Sequence, residues 1–209
     1  MTHLLHIAAS PRGEASESGR IAATFLESYR EAHPDARVET WDLWDGTLPA
    51  FGPAAAAAKM TGFGGGAPTG EEGAAWEAAR AAFARFAAAD RLLFSVPMWN
   101  AGVPYVLKQF IDVVSQPGAV FGVDPRTGYV PLLADRGIRA ATIYTSAVWG
   151  PGLGPEFGRD FQSTYFADWL RWTGITDIAE IRFHPTLTGD AEAERAAALA
   201  AARDVAKDF

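Results

Sequence analysis

Three short stretches of the chain carry residues whose types and spacing could do chemistry together. The first, Ser10-Pro11-Arg12-Gly13-Glu14-Ala15-Ser16-Glu17-Ser18, sets three hydroxyls and a guanidinium before a helix-forming run. Hydroxyls and free backbone N–H groups at a helix start make a seat for a phosphate, with the positive end of the helix behind them. Ser10, Ser16 and Ser18 are the neutral donors, and Arg12 adds charge. A helix-capping loop with incidental serines has the same composition. The second stretch, Pro97-Met98-Trp99-Asn100-Ala101-Gly102-Val103-Pro104, offers an apolar side chain, a flat aromatic and an amide in a loop stiffened by proline. Those parts suit a planar heterocycle, though Met98 and Trp99 could equally fill core space. The third, Thr145-Ser146-Ala147-Val148-Trp149-Gly150-Pro151-Gly152, has small residues beside glycines and so permits close backbone approach to a ligand. A tight loop or a lid would read the same.

Other chemistries are excluded or weak. No Gly-x-x-x-x-Gly-Lys-Ser/Thr pattern occurs, which disfavours nucleotide hydrolysis through a P-loop. Gly62-Phe63-Gly64-Gly65-Gly66-Ala67 matches a dinucleotide fingerprint in letters but follows no strand. With no cysteine, there is no thiolate nucleophile, disulfide, iron–sulfur cluster or Cys-ligated zinc. His3 and His6 fall on opposite faces of a strand, and His184 stands alone before Pro185, so no metal set is expected. No Ser-His-Asp arrangement or carboxylate pair can be defended from spacing.

The elements that must position these stretches alternate. Strands are expected at His3–Ala9, Arg37–Leu43, Arg91–Val96, Ile138–Thr145 and Ile178–Phe183, mostly short and rich in Ile, Val, Leu, Phe or Ala. Helices are expected from Ser18 to about Ala32, from Thr69 with Glu72 as a capping box, from Pro104 to Ser115, from Glu156 to Trp172, and from Asp190 to about Lys207. Trp76, Phe83 and Phe86 should point inward from the second of these, and Pro53–Pro68 reads as a long surface loop. Strict alternation implies an α/β fold with a doubly wound, five-stranded parallel sheet, order 2-1-3-4-5, and helices on both faces. Ligands then bind beyond the carboxyl ends of the central strands, which is where all three stretches fall.

Size and charge narrow the partners. At 209 residues the chain is expected to form one domain over residues 1–209. A formal net charge of −7 argues against nucleic acid and against an anionic membrane surface. No apolar run approaches the ~20 residues of a membrane span, and no secretory signal opens the chain. A cytoplasmic protein is the expectation. Trp149, Phe157, Phe161, Tyr165, Phe166, Trp169 and Trp172 are more aromatics than one helix face can bury, which suggests a two-fold interface.

The chain resembles the FMN-dependent NADH:azoreductase/quinone reductase family, within the flavodoxin-like NAD(P)H:quinone reductases. The serine loop, Pro97-Met98-Trp99-Asn100, Leu107-Lys108-Gln109-Phe110-Ile111-Asp112, Pro117-Gly118-Ala119-Val120-Phe121, Thr145-Ser146 and Thr173-Gly174-Ile175-Thr176-Asp177 carry the likeness. It implies a homodimer with its active site at the interface, reducing quinones or azo compounds with NADH or NADPH through FMN in two successive half-reactions. By position, Ser10, Ser16, Glu17 and Ser18 would hold the FMN phosphate. Pro97, Met98, Trp99, Asn100 and Ala101 would border the ring system, and Ser146, Ala147, Val148 and Trp149 would close its pyrimidine side. Phe121 would lie over the substrate pocket, whose wall would also include Trp99 and Trp149. Catalysis would then need no side-chain nucleophile or base. Two departures stand out: Trp99 replaces a common Tyr, and Ser146-Ala147-Val148-Trp149 replaces a common Ser-Arg-Gly-Gly. The second removes an arginine and lets Trp149 reshape the pocket.

Overall fold

A computed structural model describes residues 1–209. In chain order the elements are β1 (His3–Ala8), α1 (Glu17–Ala32), β2 (Arg37–Asp42), α2 (Pro53–Phe63), α3 (Gly70–Ala87), β3 (Arg91–Pro97) and α4 (Tyr105–Val114). There follow β4 (Phe121–Asp124), β5 (Gly128–Pro131), β6 (Arg139–Thr145), α5 (Ser163–Thr173), β7 (Asp177–Phe183) and α6 (Ala191–Lys207). Five strands make one parallel sheet in the order β2-β1-β3-β6-β7, the flavodoxin-like order expected. The central strands β1, β3 and β6 are short and mostly apolar because both faces are covered, whereas the edge strands β2 and β7 carry charged residues and are partly exposed. Leu4, Leu5 and Ile7 of β1 and Leu92, Leu93 and Phe94 of β3 have no solvent exposure.

The two faces are packed differently. Against α1 and α6 the sheet meets Ile21, Phe25 and Tyr29 at helical spacing, with Ala198, Ala202 and Ala206 letting α6 lie close to α1. On the other face Trp41, Phe86, Phe110, Phe166 and Trp169 fill the space under α3, α4 and α5. Phe110 meets Trp41 and Phe86 edge-on at centroid distances of 5.5 and 5.6 Å. Removing a ring such as Phe110 by alanine would leave a cavity at this junction, at a typical cost of ~3–5 kcal/mol.

Four expectations are corrected. Pro53–Pro68 is not a loop: Pro53 takes the first turn of α2, and an alanine run with high helix propensity carries it to Phe63. No capping box forms at Thr69, whose side chain makes no cap; Glu72 instead accepts from the Thr61 hydroxyl at 3.1 Å, tying α3 to α2. Only Phe86 of the three α3 aromatics is fully inward; Trp76 and Phe83 are half-buried. The helix expected from Glu156 begins at Ser163, because Gly158 at φ 97° breaks a short turn over Pro155–Phe157. An antiparallel hairpin, β4 and β5, was not expected. Its turn is made by Asp124, whose carboxylate accepts from the Arg126 and Thr127 N–H groups, and by Gly128 at φ 90°.

Candidate flavin-binding site

β1, β3 and β6 lie side by side at the centre of the sheet, so their exit loops converge. The β1 exit turns into α1 through Ser16, whose Oγ accepts from the Gly19 N–H at 3.0 Å and caps the helix. Ser16 and Ser18 are buried, and their hydroxyls lie 3.2 Å apart. The N–H groups of Glu17 and Ser18, at the open end of α1, bond to no other backbone group. This helix end opens on a cavity of about 120 Å³. Ser10, Arg12, Ser16 and Glu17 line it from the β1 side, Pro97 and Met98 from β3, and Thr145, Ser146, Ala147 and Thr186 from the far side. The Ser16 hydroxyl and the helix N-terminus border this small space, with the Ser18 hydroxyl buried behind Ser16, a combination suited to an anion.

A second cavity, about 200 Å³, adjoins the first and shares Met98, Ser146 and Ala147 with it. Its rim comes from a tight turn after β3. Trp99 and Gly102 exchange N–H···O bonds of 2.9 Å across Asn100 and Ala101, which both sit in the left-handed region at φ 49° and 66°. Two such non-glycine residues in succession are strained, a state that persists where the surroundings over-determine it. The turn is held from outside, since the Phe161 N–H donates to the Ala101 carbonyl at 3.0 Å. The neighbouring Gln162 amide reaches the Val96 carbonyl at 2.8 Å. The Asn100 N–H, exposed at the turn, bonds to no other backbone group.

The opposite wall is the β6 exit. Ser146 and Ala147 extend the sheet, accepting from the Thr186 and Leu187 N–H groups at 2.9 and 3.0 Å. The Ser146 hydroxyl donates to the Trp149 carbonyl and closes the turn. The Trp149 ring lies 5.0 Å from that of His184, edge to face. Burial, with Arg182 adding repulsion, lowers His184 to about 4, so it is a neutral packing surface. Burial alone would raise Asp160, but the Ser163 hydroxyl and N–H and the Arg182 guanidinium hold its carboxyl below the usual range. Asp160 thereby anchors the segment that brings Phe157, Gly158 and Arg159 to the cavity.

The two cavities adjoin at the carboxyl ends of β1, β3 and β6, and comparison with known proteins identifies the fold that carries them. A protein family described as having a flavodoxin-like fold matches residues 2–206. This chain belongs to that flavodoxin-like family. It is similar to a Ruegeria pomeroyi protein named FMN-dependent NADH:quinone oxidoreductase, 45% identical over 202 residues, which cover 96% of this chain and 98% of the relative. FMN-dependent NADH:quinone oxidoreductase 9 of Burkholderia lata is 38% identical over 213 residues, spanning both chains completely. Among solved structures, an azoreductase from Bacillus anthracis matches with a TM-score of 0.89 and 29% identity over the full length of both chains.

Most residues singled out from the sequence of this flavodoxin-like protein meet at the two cavities. Ser10, Arg12, Ser16, Glu17, Pro97, Met98, Ser146 and Ala147 line the first, and Met98, Asn100, Ala101 and Ser146–Trp149 line the second. Ser18 sits beneath the seat, buried against Ser16. Trp99 lines neither; its ring packs 5.8 Å from Trp44 and 6.0 Å from Tyr105 beside the turn. Phe121 lines neither in its own chain and packs on Trp172 at 4.7 Å and Tyr129 at 5.3 Å. Sequence reasoning missed Thr186, Phe157, Gly158 and Arg159. Thr186 follows the fifth sheet strand and was legible as another exit-loop residue. Arg159 had no local signal, and it enters the cavity only because Gly158 turns the chain.

Proposed function

We propose that the chain is an FMN-dependent oxidoreductase that uses NADH to reduce quinones and azo compounds, with FMN lying across the two adjoining cavities. The observation that carries this reading is the join itself, an anion seat and a flat-ring slot sharing Met98, Ser146 and Ala147. The groups present fit the cofactor. The free Glu17 and Ser18 N–H groups with the Ser16 and Ser18 hydroxyls suit a phosphate, and the β3 turn and β6 exit suit the two edges of a ring system. FMN rather than FAD follows from the absence of any adenosine fingerprint.

When bound, FMN supplies the redox chemistry, taking electrons from NADH and giving them to the acceptor. The protein supplies position. Met98 and Trp149, which line the second cavity, would flank the ring, the Asn100 N–H would be available to a ring acceptor atom, and Arg159 would supply a positive charge beside it. No catalytic nucleophile or base is required of the chain, since the cofactor would carry the redox chemistry.

The homodimer is part of the same proposal. Phe157, Phe161 and Tyr165 are 38%, 58% and 38% exposed, which supports a second copy covering them. The same copy would let Phe121 act over a neighbouring site as the family resemblance implies. A cytoplasmic location fits the absence of cysteine and of any helix long and apolar enough to cross a membrane.

The test is steady NADH oxidation by the FMN-loaded chain on adding a quinone, with rates measured against both substrates. Parallel double-reciprocal lines are expected, because donor and acceptor must use one exposed ring face in turn. No turnover would mark an electron carrier instead, and intersecting lines would refute the shared face. Sedimentation of a stable monomer at micromolar concentration would refute the dimer.

A further inference from the structure

Glu17 is an unlikely residue for an anion seat. Glu17 lines the first cavity, at the helix end whose first N–H groups bond to no other backbone group. A bare carboxylate there would repel a phosphate across a short, poorly screened gap. The structure shows how that charge is handled. Arg195, 178 residues further along and in the first turns of α6, grips Glu17 with two bonds, Nε to Oε2 at 3.2 Å and Nη2 to Oε1 at 3.0 Å. Its guanidinium also lies 5.2 Å from the centre of the Phe183 ring at the end of β7, which fixes it from behind. The pair is about three-quarters shielded, with side-chain exposures of 31% and 23%. Arg20 gives weaker support, one contact at 3.6 Å from a half-exposed side chain. Arg195 does not line the cavity itself, so it acts on the seat only through Glu17.

We propose that Arg195 is a positioning residue for the cofactor phosphate: it neutralises Glu17 and draws its carboxylate aside, so that the N-terminus of α1 can accept a dianion. This makes the C-terminal helix part of the phosphate site, although its sequence holds no phosphate-binding pattern. A planar, two-bond grip explains why arginine serves here, since lysine would offer a point charge free to swing. The inference rests on the reading of the α1 N-terminus as the phosphate seat.

The experiment titrates the flavin-stripped, full-length chain with FMN and, separately, with riboflavin, which lacks the phosphate, following quenching of flavin fluorescence. The wild-type chain, Arg195→Met and the double variant Glu17→Gln/Arg195→Met are compared. Arg195→Met should weaken FMN about tenfold and leave riboflavin unchanged, because only the phosphate meets the released carboxylate. The double variant should recover FMN affinity to within about twofold of wild type, since the charge that needed neutralising is gone. The proposal is overturned if Arg195→Met leaves FMN affinity intact, if it weakens both flavins equally, or if the double variant stays weak; the last two outcomes would mark a plain tie between α1 and α6. Equal binding of FMN and riboflavin by the wild-type chain would overturn the phosphate seat itself, and this inference with it.

Discussion

Ser16 and Ser18 differ in what they do for the empty fold and agree in what they offer a phosphate, so replacing each by alanine separates stability from binding. Ser16 caps α1 through the 3.0 Å bond from Gly19, and loss of such a cap costs about 1 kcal/mol. For a chain of this length that is a fall of roughly 2–4 °C in Tm. The Ser18 hydroxyl has only Ser16 as partner, at 3.2 Å, so Ser18→Ala should leave the flavin-free melting temperature nearly unchanged. Toward FMN each loses one hydroxyl bond to a charged group, worth about 1.5–3 kcal/mol. FMN affinity should therefore fall about tenfold or more for either variant, and further for the pair. Fluorescence titration gives the affinities and thermal melts of the stripped protein give the stabilities. If both variants keep wild-type FMN affinity, the Glu17 and Ser18 N–H groups hold the phosphate without the hydroxyls, and this reasoning is wrong. If Ser16→Ala does not lower Tm, the cap is not contributing as its geometry implies.

Three further outcomes are expected. Trp149→Gly should keep FMN and shift acceptor preference toward bulkier quinones or azo dyes, because it removes the ring that walls the second cavity against His184; unchanged preference with flavin retained would place Trp149 outside the acceptor path. Burial lowers both His6 and His184 to about 4, with Arg30 and Arg182 adding to it, whereas the unfolded chain takes up those protons near pH 6.5. Stability should thus be full above about pH 6.5 and fall as pH drops toward 4, by on the order of 2 kcal/mol per histidine at pH 5; equal urea midpoints at pH 8 and pH 5 would contradict the neutral, buried assignment. Ala101→Gly relieves a left-handed residue, worth ~1–2 kcal/mol, and loses part of that to the freer unfolded chain, so a net gain of about 0.5 kcal/mol is expected in a denaturant midpoint. A lower midpoint would mean that the Ala101 side chain is itself needed there.

The central strands were legible because they are buried on both faces and so read as largely apolar runs, Leu4 to Ile7, Leu92 to Phe94 and Ala140 to Tyr144. Their alternation with helices led directly to the observed order and to the three exit loops. Helix starts were legible where a side chain does the capping, as at Ser16 and Asp190. They were misplaced where tertiary bonds decide. Thr69 and Glu72 fit the capping-box letters, yet Glu72 is drawn to Thr61 of α2, a helix concealed in sequence because an alanine run carries no apolar period. The β4–β5 hairpin was hidden for a similar reason, since Val123, Tyr129 and Val130 are exposed and show no inward face.

What local patterns could not supply is the set of contacts between exit loops, and these decide the site's shape. Asn100 and Ala101 adopt left-handed backbone although neither is glycine, and nothing in Trp99-Asn100-Ala101-Gly102 demands it. The demand comes from Phe161, whose N–H holds the Ala101 carbonyl, and from Gln162, which holds Val96. That segment is in turn fixed by Asp160 through Ser163 and Arg182. A strained turn after β3 therefore depends on an ion pair reaching to β7, more than eighty residues along the chain. The same chain of contacts carries Arg159 into the second cavity. The Ser146-Ala147-Val148-Trp149 stretch holds no arginine, and the one arginine that lines this cavity, Arg159, comes from a stretch expected to be helical that the short turn and Gly158 keep outside α5.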